Sequence, residues 1–76
     1  MLHTMYSCKE GRQTVAIVFS LDNLAMVANT EQSIRIVVSP MTNYHNVFIE
    51  DETMKDLAYQ DLLNKWAEHL KNKETK

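Results

Sequence analysis

The clearest pattern of apolar and polar positions in the chain lies between Asp51 and Lys73. Apolar residues recur there at spacings of three and four, which places them on one side of a helix for about five turns. This stripe consists of Met54, Leu57, Ala58, Tyr59, Leu62, Leu63, Trp66, Ala67 and Leu70. Asp51 or Thr53 can cap the first turn. The pattern therefore predicts an amphipathic helix over about residues 52–72.

Upstream of this helix, apolar and polar residues alternate with a period of two, which is typical of strands with one buried face. The strands predicted in this way cover about residues 1–8, 13–21, 33–39 and 46–50. The strongest is the second, in which Val15, Ile17 and Phe19 share one face. Gly11, the one glycine, lies in the turn before it, and Pro40 ends the third strand.

Residues 22–32 are compatible with two structures. As a helix, their apolar residues fall on one side. As a strand over 24–29, they fold back on the preceding strand through a two-residue turn at 22–23. We favour the strand, because its register places Phe19 opposite Met26 and gathers the large apolar residues on one face.

Together these elements predict an α+β fold in a single domain, residues 1–76. We expect an antiparallel β-meander of four to five strands with one C-terminal amphipathic helix packed on one face. The face without the helix keeps the apolar residues Val18, Val27, Val37 and Phe48. That is more apolar surface than a solvated sheet face normally carries. We therefore expect a homodimer, formed through that face or through an open strand edge.

Composition narrows the class of protein. An apolar fraction of 45% with one glycine and one proline favours an ordered domain. The net charge of −2 gives no electrostatic attraction to nucleic acid or to an anionic membrane. A single cysteine cannot form an internal disulfide, the first residues do not have the pattern of a signal peptide, and no apolar run approaches the roughly 20 residues of a membrane span. The sequence therefore predicts a cytoplasmic protein.

No group of residues has the spacing of a familiar catalytic or metal site. The soft metal ligands are His3, Cys8, His45 and His69, and their spacings match no zinc pattern. A single glycine is too few for a glycine-rich phosphate loop. Cys8 as a nucleophile would need a base such as His45, which is distant in the sequence. We therefore expect no enzymatic activity, no metal and no cofactor.

The uneven distribution of charge suggests a surface for a partner. Four acidic residues surround the start of the predicted helix, whereas capping needs only one of them. Just before them lies a polar loop that contains an aromatic residue, which can anchor an interface. The residues that we predict to bind a partner are Tyr44, His45, Glu50, Glu52, Asp56 and Val37. Their acidic character fits a protein target with a basic surface.

These observations favour a small non-catalytic protein-binding module, an inhibitor or regulator of a larger protein. In length and composition, and in these alone, the chain resembles small phage-encoded inhibitors such as anti-CRISPR proteins. The alternative is a nucleic-acid-binding module that uses the sheet face with Lys9, Arg12 and Arg35. The sequence favours it less, because basic and aromatic residues are not interleaved on a strand.

Overall fold

A computed structural model describes residues 2–40 and 43–74. In these residues the chain forms five strands and a C-terminal helix, and four of the strands precede the polar loop. The elements are β1 (Leu2–Lys9), β2 (Arg12–Ser20), β3 (Leu24–Asn29), β4 (Ser33–Val38), β5 (His45–Phe48) and α1 (Glu52–Glu74). The predicted α+β class is confirmed. Met1, predicted in the first strand, and Met41 and Thr42, predicted in the polar loop, lie outside the described residues.

β1 and β2 form an antiparallel hairpin in which Lys9 pairs with Arg12. The two turn residues, Glu10 and Gly11, have φ angles of 53° and 75°. Positive φ at both positions is the property of the two-residue turn whose twist matches that of the strands it joins. The predicted hairpin at Gly11 is therefore confirmed.

The predicted pairing of the second strand with the third is wrong. β3 pairs with β4 and β4 with β5, in a three-stranded antiparallel sheet separate from β1 and β2. A 3₁₀ turn over Leu21–Asn23 joins the two sheets, and the Ser20 hydroxyl accepts a hydrogen bond from the Asp22 amide at 3.3 Å. Neither Asp22 nor Asn23 has the positive φ angle that the favoured two-residue hairpin turns require.

A β-bulge in β3 contradicts two further predictions about which side chains face the core. Leu24 pairs with Val38, both buried, but Met26 pairs with Val37, so the register shifts by one residue between Leu24 and Met26. A β-bulge of this kind reverses which side chains face the core. Met26, predicted on the core face, lies on the opposite face, and Val27, predicted on the helix-free face, packs against the core.

The two sheets meet where β1 ends and β5 ends. Cys8 and Ile49 form a parallel bridge, and the Glu50 amide donates a hydrogen bond to the Cys8 carbonyl at 3.0 Å. The Phe48 amide donates to the Ser7 hydroxyl at 3.3 Å. Across this sheet junction the strands follow the spatial order β2, β1, β5, β4, β3.

The core lies between the strands and α1. Its most deeply buried side chains are Leu21, Ile34, Ile36, Val47 and Leu62. Leu62 comes from the middle of α1, and Ala58, Tyr59 and Trp66 pack around it against the core. The apolar stripe predicted on the helix is wider than the packed side, since Met54, Leu57 and Leu70 are exposed.

Polar contacts attach α1 at both ends. The Asp51 carboxylate accepts a hydrogen bond from the Met54 amide at 3.0 Å and caps the helix, as predicted. Near the other end, His69 Nε2 lies 2.7 Å from Asp22 Oδ1, and this hydrogen bond holds the pKa of Asp22 below its usual value. Among the described residues, no helix combines the length and apolar character needed to cross a membrane.

Candidate interaction surface

One face of the three-stranded sheet points away from the core. Residues paired directly across neighbouring antiparallel strands share a face, so the pairs Met26 with Val37 and Arg35 with Asn46 lie on the side opposite buried Ile36. We call this surface the outer sheet face. It consists of Met26, Ala28, Arg35, Val37, Tyr44, Asn46 and Phe48.

The large side chains of the outer sheet face are exposed. Tyr44 is 52% exposed, Phe48 50% and Met26 41%. Single exposed apolar side chains are common on proteins, but several on one sheet face form a patch. Aromatic residues, methionine and arginine are also the residue types enriched in protein interfaces.

Arg35 holds Tyr44 against this face. The guanidinium carbon of Arg35 lies 4.8 Å from the centre of the Tyr44 ring, which is the geometry of a cation–π contact. Arg35 forms no ion pair within the described part of the chain. The contact reduces the freedom of both side chains, so less conformational entropy remains to be lost when a partner binds.

The structure separates the predicted partner-binding residues. Val37 lies on the outer sheet face, as the alternation in β4 suggested, and Tyr44 lies there beside Arg35. His45 is the neighbour of Tyr44 in sequence but pairs with Ile36, so it points to the core side and is half-buried. Glu50 lies beyond the other end of β5. Glu50 lies six positions after Tyr44, which is about 20 Å along an extended chain.

Two of the predicted acidic residues have structural partners. Glu50 Oε2 accepts a hydrogen bond from the Glu10 amide at 2.8 Å, which attaches the β1–β2 turn to the junction. Asp56 Oδ1 accepts one from the Asn29 side chain at 3.0 Å and lies 3.6 Å from Lys55 Nζ. Glu52 is exposed in the first turn of α1. The acidic cluster is thus partly accounted for by the fold, which the sequence alone did not indicate.

Two concave regions flank the sheets. A cleft of about 550 Å³ between the two sheets is lined by Leu2, Ile17, Phe19, Val38 and His45, among others. A groove of about 420 Å³ between β1 and α1 includes His3 and Lys65. Burial and the nearby Lys65 ammonium lower the pKa of His3, against the smaller opposite effect of Asp61. His3 is therefore neutral at neutral pH, and its ring packs against Phe19.

The residues considered for chemistry are not brought together. Cys8 lies beside Ile49, past the end of β5, whereas His45 begins that strand, and four residues of strand separate them by about 13 Å. Within residues 2–40 and 43–74, no three His, Cys, Asp or Glu side chains are grouped so that they could hold a metal ion.

Sequence reasoning missed Met26 as a surface residue. It placed Phe48 on the face without the helix, where the structure has it, but did not name it among the partner-binding residues. No local signal could have assigned Met26, because the bulge that turns it outward is a property of the pairing with β4.

Comparison of this chain with models of protein families, with curated proteins and with solved structures finds no match.

Proposed function

We propose that this protein is a non-catalytic protein-binding module that holds a partner protein on the outer sheet face. The observation that carries the proposal is the exposure of Met26, Tyr44 and Phe48 on one face beside Arg35. Apolar and aromatic side chains at the centre of a contact supply most of its binding free energy. A module of this kind inhibits or regulates a larger protein by occupying one of its surfaces.

The charges around this face specify the partner further. Glu50 and Glu52 are exposed where β5 passes into α1. They lie beyond the Phe48 end of the outer sheet face. A partner with an apolar patch bordered by basic residues complements both features. The acidic residues then mainly raise the association rate, and this effect weakens as the salt concentration rises.

The test starts with affinity capture from the native host by the wild type and by two matched variants. Phe48→Lys places a charge in the outer sheet face, and Leu57→Lys places the same charge on an exposed apolar residue of α1. We expect the captured partner, once purified, to bind Phe48→Lys at least about tenfold more weakly than the wild type. Leu57→Lys should bind as the wild type does. Equal binding by Phe48→Lys would overturn the proposal.

The acidic residues are tested with the same purified partner. In the double variant Glu50→Gln with Glu52→Gln we expect a slower association rate and a weaker dependence of that rate on salt. The glutamine side-chain oxygen at position 50 can still accept a hydrogen bond from the Glu10 amide, and circular dichroism checks that the variant remains folded. An unchanged rate and salt dependence in the folded variant would show that the partner does not contact this end of the molecule.

A second function is favoured by a specific observation. Tyr44, Phe48 and Arg35 share a sheet face, and sheets that bind single-stranded nucleic acid stack bases on such aromatic residues. Arg35 is, however, the one cation of the outer sheet face, and phosphate contacts need several. Fluorescence anisotropy with single-stranded RNA and DNA across a salt series separates the two functions. Binding that weakens steeply with salt and is lost in Phe48→Lys would replace our proposal with this one.

A further inference from the structure

β2 has a partner strand on one side only. Eight of its nine residues pair with β1, and no described strand pairs with its other edge. The backbone groups along that edge therefore have no strand to bind. Most of β2 is exposed, including Val15 at 58% and Val18 at 52%.

This edge lacks two of the usual protections against pairing, although it has a bulge at Ala16. Edge strands commonly carry charged residues or proline, but residues 13–20 contain neither. The edge of β3 at the other side of the molecule is different, because α1 is attached near both of its ends. Asn29 contacts Lys55 and Asp56 there, and Asp22, just before β3, contacts His69. The edge of β2 is the accessible one.

We propose that two copies of this chain pair antiparallel along β2, around a two-fold axis at Ala16. Ala16 is the extra residue of β2 at the register shift opposite Met5 and Tyr6. With this irregularity on the axis, which passes between Ala16 and Ile17, residues 13–15 of one copy pair with residues 18–20 of the other, and the reverse, so that paired residues share a face. Such a contact uses the same surface of both copies.

The residues of β2 are complementary to themselves in this arrangement. Arg12, its one charged residue, lies beyond Ser20 of the other copy, so no like charges meet. Val15 lies opposite Val18, which is on the same face of the sheet, and the small side chain of Ala16 allows close approach beside the axis. Two apolar residues are thus removed from water while the edge gains backbone hydrogen bonds.

The dimer would enlarge the two-stranded sheet of β1 and β2. A two-stranded sheet is marginally stable in water, and pairing through β2 extends it to four strands in the order β1, β2, β2, β1. The outer sheet face belongs to the other sheet and stays open on both copies. The dimer would therefore present two such faces, and a partner with two binding sites would be held more tightly than by either face alone.

Sedimentation equilibrium of the purified protein tests the pairing. The chain has a mass of 8.8 kDa, and we expect twice that mass at about 100 µM. The double variant Val15→Lys with Val18→Lys places positive charges along the paired edge and should sediment as a monomer. Val37→Lys, the matched control on the outer sheet face, should remain dimeric. Amide hydrogen exchange should show protection in β2 that falls when the wild type is diluted.

Two results would overturn the inference. One is a wild type that stays monomeric at several hundred micromolar, and the other is a dimer that Val37→Lys dissociates while the Val15→Lys, Val18→Lys variant does not. Circular dichroism confirms that each variant is folded. Binding of a partner through Phe48 is measured separately and does not depend on the outcome, so the failure of one proposal is distinguishable from the failure of the other.

Discussion

Lys55 shows how far a single residue can depart from its apparent role in the sequence. It follows Met54 on α1, and its position in the sequence predicts a solvated helix residue. In the structure, however, Lys55 is only 3% exposed. Its ammonium donates hydrogen bonds to the Asn29 side chain and, at 2.7 Å, to the Thr30 carbonyl. A buried lysine is rare unless its charge is paired in this way. These contacts join the start of α1 to the turn after β3.

Replacement of Lys55 by methionine tests this role, because it keeps most of the buried stem and removes the ammonium. The Asn29 and Thr30 oxygens then lose a donor, and we expect the free energy of unfolding to fall by about 1–3 kcal/mol. Urea denaturation measures the change. Lys65→Met, which removes an exposed ion pair with Asp61 at 3.0 Å, is the control and should change stability by less than about 1 kcal/mol. Equal effects would mean that the Lys55 contacts contribute little.

At the scale of elements, the bounds of α1 follow from local chemistry and its packed side does not. The Asp51 cap and the basic last turn mark its ends, so the predicted range agrees with Glu52–Glu74. Which residues face the core depends on where the strands lie. The sheet covers Leu62 and part of Trp66 but leaves Leu57 in solvent.

Two identical substitutions on α1 measure this difference. Leu62→Ala should lower the free energy of unfolding by about 2–5 kcal/mol, because it leaves a cavity where the side chain was fully buried. Leu57→Ala, at a position 65% exposed, should change stability by less than about 0.5 kcal/mol. Chemical denaturation of both variants gives the comparison. A larger loss in Leu57→Ala would mean that another molecule, or another orientation of the helix, covers that side.

At the scale of the whole molecule, the strands and most of their partners could be predicted, and the pairing of the second strand with the third was the exception. Alternation is a local pattern, and it located all five strands within a few residues. The choice of partner depended on the 3₁₀ turn at Leu21–Asn23, which has no distinct sequence signal beside a two-residue turn. The bulge before Met26 then reversed the faces of β3.

The residues of the candidate surface could also be predicted only in part. Val37 could be placed because the residues of its strand alternate regularly. His45 could not be separated from Tyr44 while both were assigned to a loop, and the acidic residues could not be placed relative to Tyr44 without knowing that β5 lies between them. The sequence identified the types of residue on the surface, and the fold decided which of them lie together.

The junction at Cys8 and Ile49 has a consequence for the order in which the molecule folds. Both sheets are built from strands that are neighbours in sequence, whereas the junction joins residues 41 positions apart. Closing so long a segment costs chain entropy before the contact contributes to stability. The hairpin and the three-stranded sheet should therefore form first, each from local contacts, and the junction should close after the rate-limiting step.

Stopped-flow kinetics can detect this order. Ile49→Ala, at the junction, should mainly raise the unfolding rate, since its contacts are absent from the transition state. Ile34→Ala, inside the three-stranded sheet, should mainly slow folding. If Ile49→Ala slows folding as much as Ile34→Ala does, the two sheets do not form independently and the distant contact belongs to the nucleus. In the expected case, the bridge between the sheets is the part of the protein that opens most readily, and its lifetime limits how long the two sheets keep a fixed orientation.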